Sequence, residues 1–216
     1  MNNTFLSLLR VFISFFIIIV FVSIITIFSL NNNPNSLAFE NNNINSNQIY
    51  SDNLNIVTSN YGFIWPIKNK SYISSNFGKR KSPTFGASSF HYGIDIPSNE
   101  GTPLYAIYDG IVIFASWGAG GGYTITLKLS MDFNDNFKVS YCHVSPVMYV
   151  KKGDVVNKGS LIGTVGPKNV YGIKNNPYKD SNGNPTNGAT TGCHLHFAIK
   201  LNEEFVNPLN YYNYYW

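Results

Sequence analysis

The sequence predicts a compact, mostly antiparallel β domain with long loops, and three observations point there. From Trp65 onward apolar runs are short and strand-length, as in IVIFA (Ile111–Ala115), YTITLKL (Tyr123–Leu129), FKVSYCHV (Phe137–Val144) and HLHFAI (His194–Ile199). Their residues are β-branched or aromatic, and Gly, Pro, Asn and Asp break them apart. No window of that part sustains a helical period, and charged residues make up only 12% of the chain against 16% aromatic, which suits a β-rich domain better than a helical bundle.

Asp109-Gly110 and the Asp132–Asn136 stretch supply turns between these runs. The glycine run Gly118–Gly122 lacks the strand-to-helix setting of a dinucleotide fold and reads as a tight turn. Gly166–Gly192 is an unusually long loop for a domain of this size. The aromatic tail from Asn210 to Trp216 is expected to finish the sheet as a strand rather than to stack on sugars.

The 216 residues leave room for one domain, expected at 61–216, plus accessory segments. From Tyr61 onward, 14 Lys and Arg stand against 9 Asp and Glu, an excess of +5. This suits an acidic polymer or a simple solvated surface, and is too small and too scattered to imply nucleic acid.

Residues 1–10 are expected to be cytoplasmic and 11–30 to cross a membrane. Val11–Leu30 is an uncharged apolar run long enough to span the hydrocarbon core. Arg10 precedes it and no Lys or Arg follows before Lys68, so the chain beyond should lie outside. The length favours a retained anchor over a cleaved signal peptide; cleavage after Ala38, in Ser36-Leu37-Ala38 behind Pro34, is the alternative and would secrete the protein. Residues 31–60, rich in Asn and Ser, have little to bury and read as a flexible spacer.

All four histidines can be placed in one site. His91 and Asp95 lie four apart in HYGIDI, where Ile94 and Ile96 would face the core and leave Asp95 on the other side. His194 and His196 lie two apart on a strand and so share a face. His143, in SYCHVS, is also expected on a strand. Zinc is well served by two neutral imidazoles and a carboxylate with a fourth position left for water, and His91, Asp95 and one histidine of H-x-H supply that set. The other two histidines could then act as base and proton shuttle. Other chemistries lack their motifs: there is no H-E-x-x-H, no nucleophile elbow and no phosphate-binding loop.

Over about Trp65–Leu209 the chain resembles the lysostaphin-like (LytM-like) zinc metallopeptidases. The resemblance rests on an ordered set: SSNFGKR (Ser74–Arg80), HYGIDI (His91–Ile96), GTPLYAIYDGIVIFA (Gly101–Ala115), SYCHVS (Ser140–Ser145), KKGDVVNKGSLIGTVG (Lys151–Gly166), TGCHLHFAI (Thr191–Ile199) and VNPL (Val206–Leu209). It implies a twisted antiparallel sheet with one zinc ion at the floor of a groove walled by loops. His91, Asp95 and His196 match the family's metal ligands, His143 and His194 its catalytic histidines, and Asn76 a polar group on the substrate side. The implied reaction is hydrolysis of a peptide bond in peptidoglycan stem peptides or crossbridges, with peptidoglycan and the membrane as partners and room for a protein activator.

Three features depart from the family pattern. Cys193 stands where proline or a small residue is commoner. The 166–192 loop is longer than usual and is expected to wall the groove. Phe85 lies where some relatives carry a tyrosine that helps hold the oxyanion. Cys142 and Cys193 each precede a proposed catalytic histidine. Strand alternation points both away from the cleft, which leaves open a disulfide in an exported protein, with buried free thiols the commoner fate. The competing function is a non-catalytic, membrane-anchored scaffold of the same fold, for instance in a sporulation complex. The presence of every metal ligand favours the enzyme.

Overall fold

The computed structural model describes residues 59–131 and 136–213. The expected cytoplasmic terminus, membrane-spanning run and spacer at 1–58, the 132–135 turn and the last three residues lie outside the described residues. Eleven strands follow in chain order. They are β1 (Gly78–Lys79), β2 (Phe90–His91), β3 (Ile94–Pro97), β4 (Pro103–Tyr105), β5 (Gly110–Trp117), β6 (Tyr123–Leu129), β7 (Phe137–Cys142), β8 (Val155–Val156), β9 (Leu161–Thr164), β10 (His194–Leu201) and β11 (Glu204–Val206). Every pairing between them is antiparallel. Two short 3-10 turns are the only helical pieces among the described residues.

Seven strands form the main sheet, in the order β11-β10-β7-β6-β5-β8 with β3 also paired to β10. The eight residues of β10 are long enough to hold two partners end to end on one edge. His194–Phe197 pair with β3 and Ile199–Leu201 with β11, while the other edge pairs with β7. This arrangement brings the HYGIDI and HLHFAI segments side by side although about a hundred residues separate them.

Alternation assigns one face of the sheet to the core. Leu195, Phe197 and Ile199 of β10, Val139 and Tyr141 of β7, and Ile125 and Leu127 of β6 are all fully buried. Burying side chains of this size is worth about 1.5–3 kcal/mol each. The Tyr141 hydroxyl, enclosed in this layer, accepts from the Ile107 amide at 3.0 Å and donates to the Tyr105 carbonyl at 3.0 Å. The opposite face carries polar residues and the histidines.

The described part of the C-terminal tail, up to Asn213, departs from the sequence expectation. The edge of the sheet is finished by β11, and Pro208–Tyr211 form a 3-10 turn capped by the Asn207 side chain, which accepts from the Leu209 amide at 3.1 Å. Proline at the turn's start cannot donate to a ladder, which disfavours a strand there. Tyr211 and Tyr212 instead close an aromatic cluster. Tyr211 packs edge-on against Phe137 at 5.3 Å, Tyr212 packs edge-on against Trp65 at 4.9 Å, and the Tyr212 hydroxyl donates to the Ile64 carbonyl at 3.0 Å.

Candidate metal centre and active site

The site grows out of the strand registry. On β3, Ile94 and Ile96 are fully buried in the core, which turns Asp95 to the other face, opposite His196 of β10. Gly93 just before β3 carries no side chain because a Cβ there would stand 2.5 Å from the Phe197 carbonyl oxygen and 2.9 Å from the His196 ring. His91, at the end of β2, reaches the same point. Its Nε2 lies 3.1 Å from Asp95 Oδ1 and 2.8 Å from His196 Nδ1, and His196 Nδ1 lies 2.9 Å from Asp95 Oδ1. The three residues form a group able to hold a metal ion, their ligand atoms all within 4.8 Å of one another.

His194 stands beside them, its Nε2 3.4 Å from Asp95 Oδ1. His143 faces His194 with ring centroids 4.8 Å apart. All five side chains line one groove of about 800 Å³, whose wall includes Ala189–Gly192 at the end of the long loop.

Backbone carbonyls fix three of the tautomers. His91 Nδ1 donates to the Asn76 carbonyl at 2.9 Å, His194 Nδ1 to the Gly192 carbonyl at 3.0 Å, and His143 Nδ1 to the Asn187 carbonyl at 2.6 Å. A carbonyl can only accept, so each Nδ1 carries a proton, and in the neutral ligating form each Nε2 then keeps a lone pair. In that neutral form the lone pairs of His91 and His194 meet the Asp95 carboxylate with no proton between them. One hydrogen on His196 Nδ1 can satisfy only one of its two close neighbours. Such an excess of electron-pair donors at one point suits a divalent cation, and the imidazole–carboxylate mixture suits zinc.

The same cluster keeps the Asp95 carboxylate ionised. Burial alone would raise the Asp95 carboxyl, but its contacts with His194, His196 and His91 outweigh this and hold it well below the usual carboxylate range. Burial lowers His196, keeping it in the neutral form that ligates. Burial, with His194 and His196 nearby, pushes His143 down to about 3, so it too stays neutral.

Several participants are not evident from the sequence alone. Arg80 extends Nη1 to Asp95 Oδ2 at 3.2 Å and to the Ser75 hydroxyl at 2.6 Å, and so anchors the carboxylate from behind. Its position in SSNFGKR was the available signal. Asn187, fully buried in the long loop, gives its carbonyl to His143. Its side chain accepts from the Tyr123 amide at 2.8 Å and donates to the Val144 carbonyl at 3.0 Å. A Cβ on Gly122 would meet Asn187 at 2.3 Å, so loop and turn fit only through that glycine. Asn76 meets the site through its main chain, as the acceptor for His91, while its side chain is exposed.

Two expectations are overturned here. β7 ends at Cys142, and His143 lies just beyond it with a φ of 59° rather than on the strand. Alternation does not carry across such a left-handed residue. Cys142 is the registered partner of His196 and lines the groove, so it faces the site and not the packed layer. Cys193, partly buried, packs against the core and also borders the groove, so it does not point wholly away from the cleft; both cysteines are free thiols.

The chain belongs to peptidase family M23, whose model matches residues 89–208. It is 30% identical over 147 residues to an uncharacterized metalloprotease of Buchnera aphidicola subsp. Baizongia pistaciae, covering 68% of this chain and 33% of the relative. It is 28% identical over 147 residues to the peptidoglycan DD-endopeptidase ShyA of Vibrio cholerae, covering 67% of this chain and 28% of that one. Among solved structures, the catalytic domain of lysostaphin from Staphylococcus simulans aligns with a TM-score of 0.50 at 28% identity, over 65% of this chain and 90% of that one. A zinc-containing peptidase from Vibrio cholerae aligns with a TM-score of 0.50 at 28% identity, over 66% of this chain and 37% of that one. The chain spans about a third or less of the length of these full-length curated relatives. The lysostaphin-like resemblance read from the sequence therefore holds, and the antiparallel β architecture agrees with it.

Proposed function

We infer that this protein is a zinc-dependent endopeptidase that hydrolyses peptide bonds in peptidoglycan stem peptides or crossbridges. Residues 11–30 anchor it in the membrane, and the folded domain faces outward. The observation that carries the reading is the convergence of His91, Asp95 and His196 beside the His143–His194 pair on the floor of an open groove. The names of the relatives, a DD-endopeptidase of peptidoglycan and lysostaphin among them, support the substrate class. The apolar run after Arg10, with no basic residue before Lys68, supports the orientation.

His91 Nε2, Asp95 Oδ1 and His196 Nδ1 would hold the ion. Bound there, zinc supplies Lewis acidity toward a peptide carbonyl and lowers the pKa of water. The protein groups do the rest. His194, its ring locked by Gly192, presents Nε2 to take a proton from the attacking water and pass it to the leaving amine. Its side chain keeps 15% exposure, which allows that proton to exchange. His143, buried and neutral, accepts a hydrogen bond at Nε2 and holds the reacting groups against His194. Arg80 orients Asp95 from outside the donor set. Asn76 offers its exposed amide to the substrate beside His91.

The test is incubation of the purified, zinc-loaded protein with purified peptidoglycan, with and without a zinc chelator. Chelator-sensitive release of new free amino groups is the expected result, and mass spectrometry of the fragments then names the bond. A folded, zinc-loaded protein that releases none from walls of several crosslink chemistries would contradict the assignment and favour the scaffold.

A further inference from the structure

The face of the sheet that carries the metal centre does not end there. Moving along the strands in steps of two, residues in register share this face. Asp95, His196, Cys142 and Thr124 form the first row, and Ala198, Ser140 and Thr126 the second. The third row is Lys200, Lys138 and Lys128, side by side on β10, β7 and β6. Each step is about 6.8 Å, so the lysine row lies roughly 13–14 Å from the metal centre. The second row is small, which keeps the floor low. The groove lining runs continuously from His196 over Ala198 and Ser140 to Phe205, the registered partner of Lys200.

Three like charges directly opposite one another in neighbouring strands work against the sheet. This chain offsets them only in part. Glu203 pairs with Lys138 and is also drawn by the nearby Lys200, whose ammonium lies 4.5 Å from the Phe205 ring centroid. Lys128 is exposed, and among the described residues no ion pair joins it or Lys200 to a carboxylate. Among the described residues the row thus keeps a positive excess at the end of the groove.

We propose that the Lys128–Lys138–Lys200 row is a substrate subsite that binds a carboxylate of the peptide being cut, about four residues from the scissile bond. The proposal rests on the endopeptidase reading and deepens it. An extended peptide advances about 3.3–3.6 Å per residue, so a chain lying along the strands with one bond at the metal centre brings its fourth residue over the lysines. A carboxylate there supplies the charge that the row lacks. Because it belongs to the molecule being cut, it fixes the direction in which the peptide lies.

The test compares the zinc-loaded full-length protein with Lys128→Gln/Lys200→Gln and with the charge-keeping Lys128→Arg/Lys200→Arg. Substrates are purified peptidoglycan stripped of phosphate-containing polymers and the same material with its carboxyl groups converted to amides. Both sedimentation with the wall and amino-group release are read at low and high salt. For the wild type, the expected result is a preference for the carboxylate form of roughly five- to tenfold at low salt that shrinks at high salt. The glutamine pair should lose that preference and the arginine pair keep it. Equal behaviour of all three proteins on both substrates overturns the subsite and leaves the peptidase reading intact. A preference seen only before the phosphate polymers are removed also overturns it. Retained discrimination in sedimentation with no amino-group release keeps the subsite and rejects the peptidase reading.

Discussion

Cys142 stands directly opposite His196 in the register of two antiparallel strands, so a thiol and a candidate metal ligand share one face and one row of the sheet. The next residue, His143, adopts a left-handed backbone at φ 59° and leaves the strand, which lets two consecutive residues both line the groove. Burial pushes the Cys142 thiol up to about 11, which keeps it protonated and poorly suited to ligate. Cys142→Ala should therefore keep one zinc per chain and leave kcat/KM within about threefold. Metal analysis and peptidoglycan hydrolysis check this together.

The two histidines of H-x-H should separate cleanly. His196→Ala removes a ligand atom and is expected to abolish stoichiometric zinc binding. His194→Ala leaves the three-ligand set intact and should retain the metal while kcat falls on the order of 10²–10⁴-fold. Zinc content and turnover measured on the same preparations decide the matter; full activity in both variants would show that the assignment is wrong.

Arg80 touches the carboxylate and not the groove floor alone, so its loss should show first in metal affinity. Arg80→Ala is expected to weaken zinc binding on the order of 10- to 100-fold, the usual cost of removing a group that orients a ligand. Arg80→Lys should recover part of it. Competition titration against a chelator of known affinity reads the change directly.

Asn187 predicts the reverse pattern. Asn187→Ala leaves the Tyr123 amide and the Val144 carbonyl without their partner and should cost about 2–3 kcal/mol of stability. The loop shift it causes moves the carbonyl that holds His143. The expected outcome is a lower melting temperature and lower kcat with zinc affinity preserved, checked by thermal unfolding and metal titration side by side.

Most of the architecture was legible because alternation is a local code. The burial of Ile94 and Ile96, the exposure of Asp95 to the site, and the shared face of His194 and His196 all follow from period two within one strand. Two parts of the site were not legible for the same reason. Alternation fails at a left-handed residue, so the side taken by Cys142 could not be read through His143. The loop from Gly166 to Gly192 has no period at all, and nothing local in NPTNGATT marks Asn187 as the residue that holds His143. The tail misled because its aromatic run fits a strand and a packed cluster equally, and only the proline-started 3-10 turn distinguishes them.

The most direct test of the metal centre is X-ray absorption at the zinc edge of the zinc-loaded protein. The arrangement of His91, Asp95 and His196 predicts a shell of two imidazole nitrogens with oxygen at about 2.0–2.2 Å and no sulfur. A sulfur shell at about 2.3 Å would bring Cys142 into the coordination sphere and contradict the His/Asp/His centre on which the proposed chemistry depends.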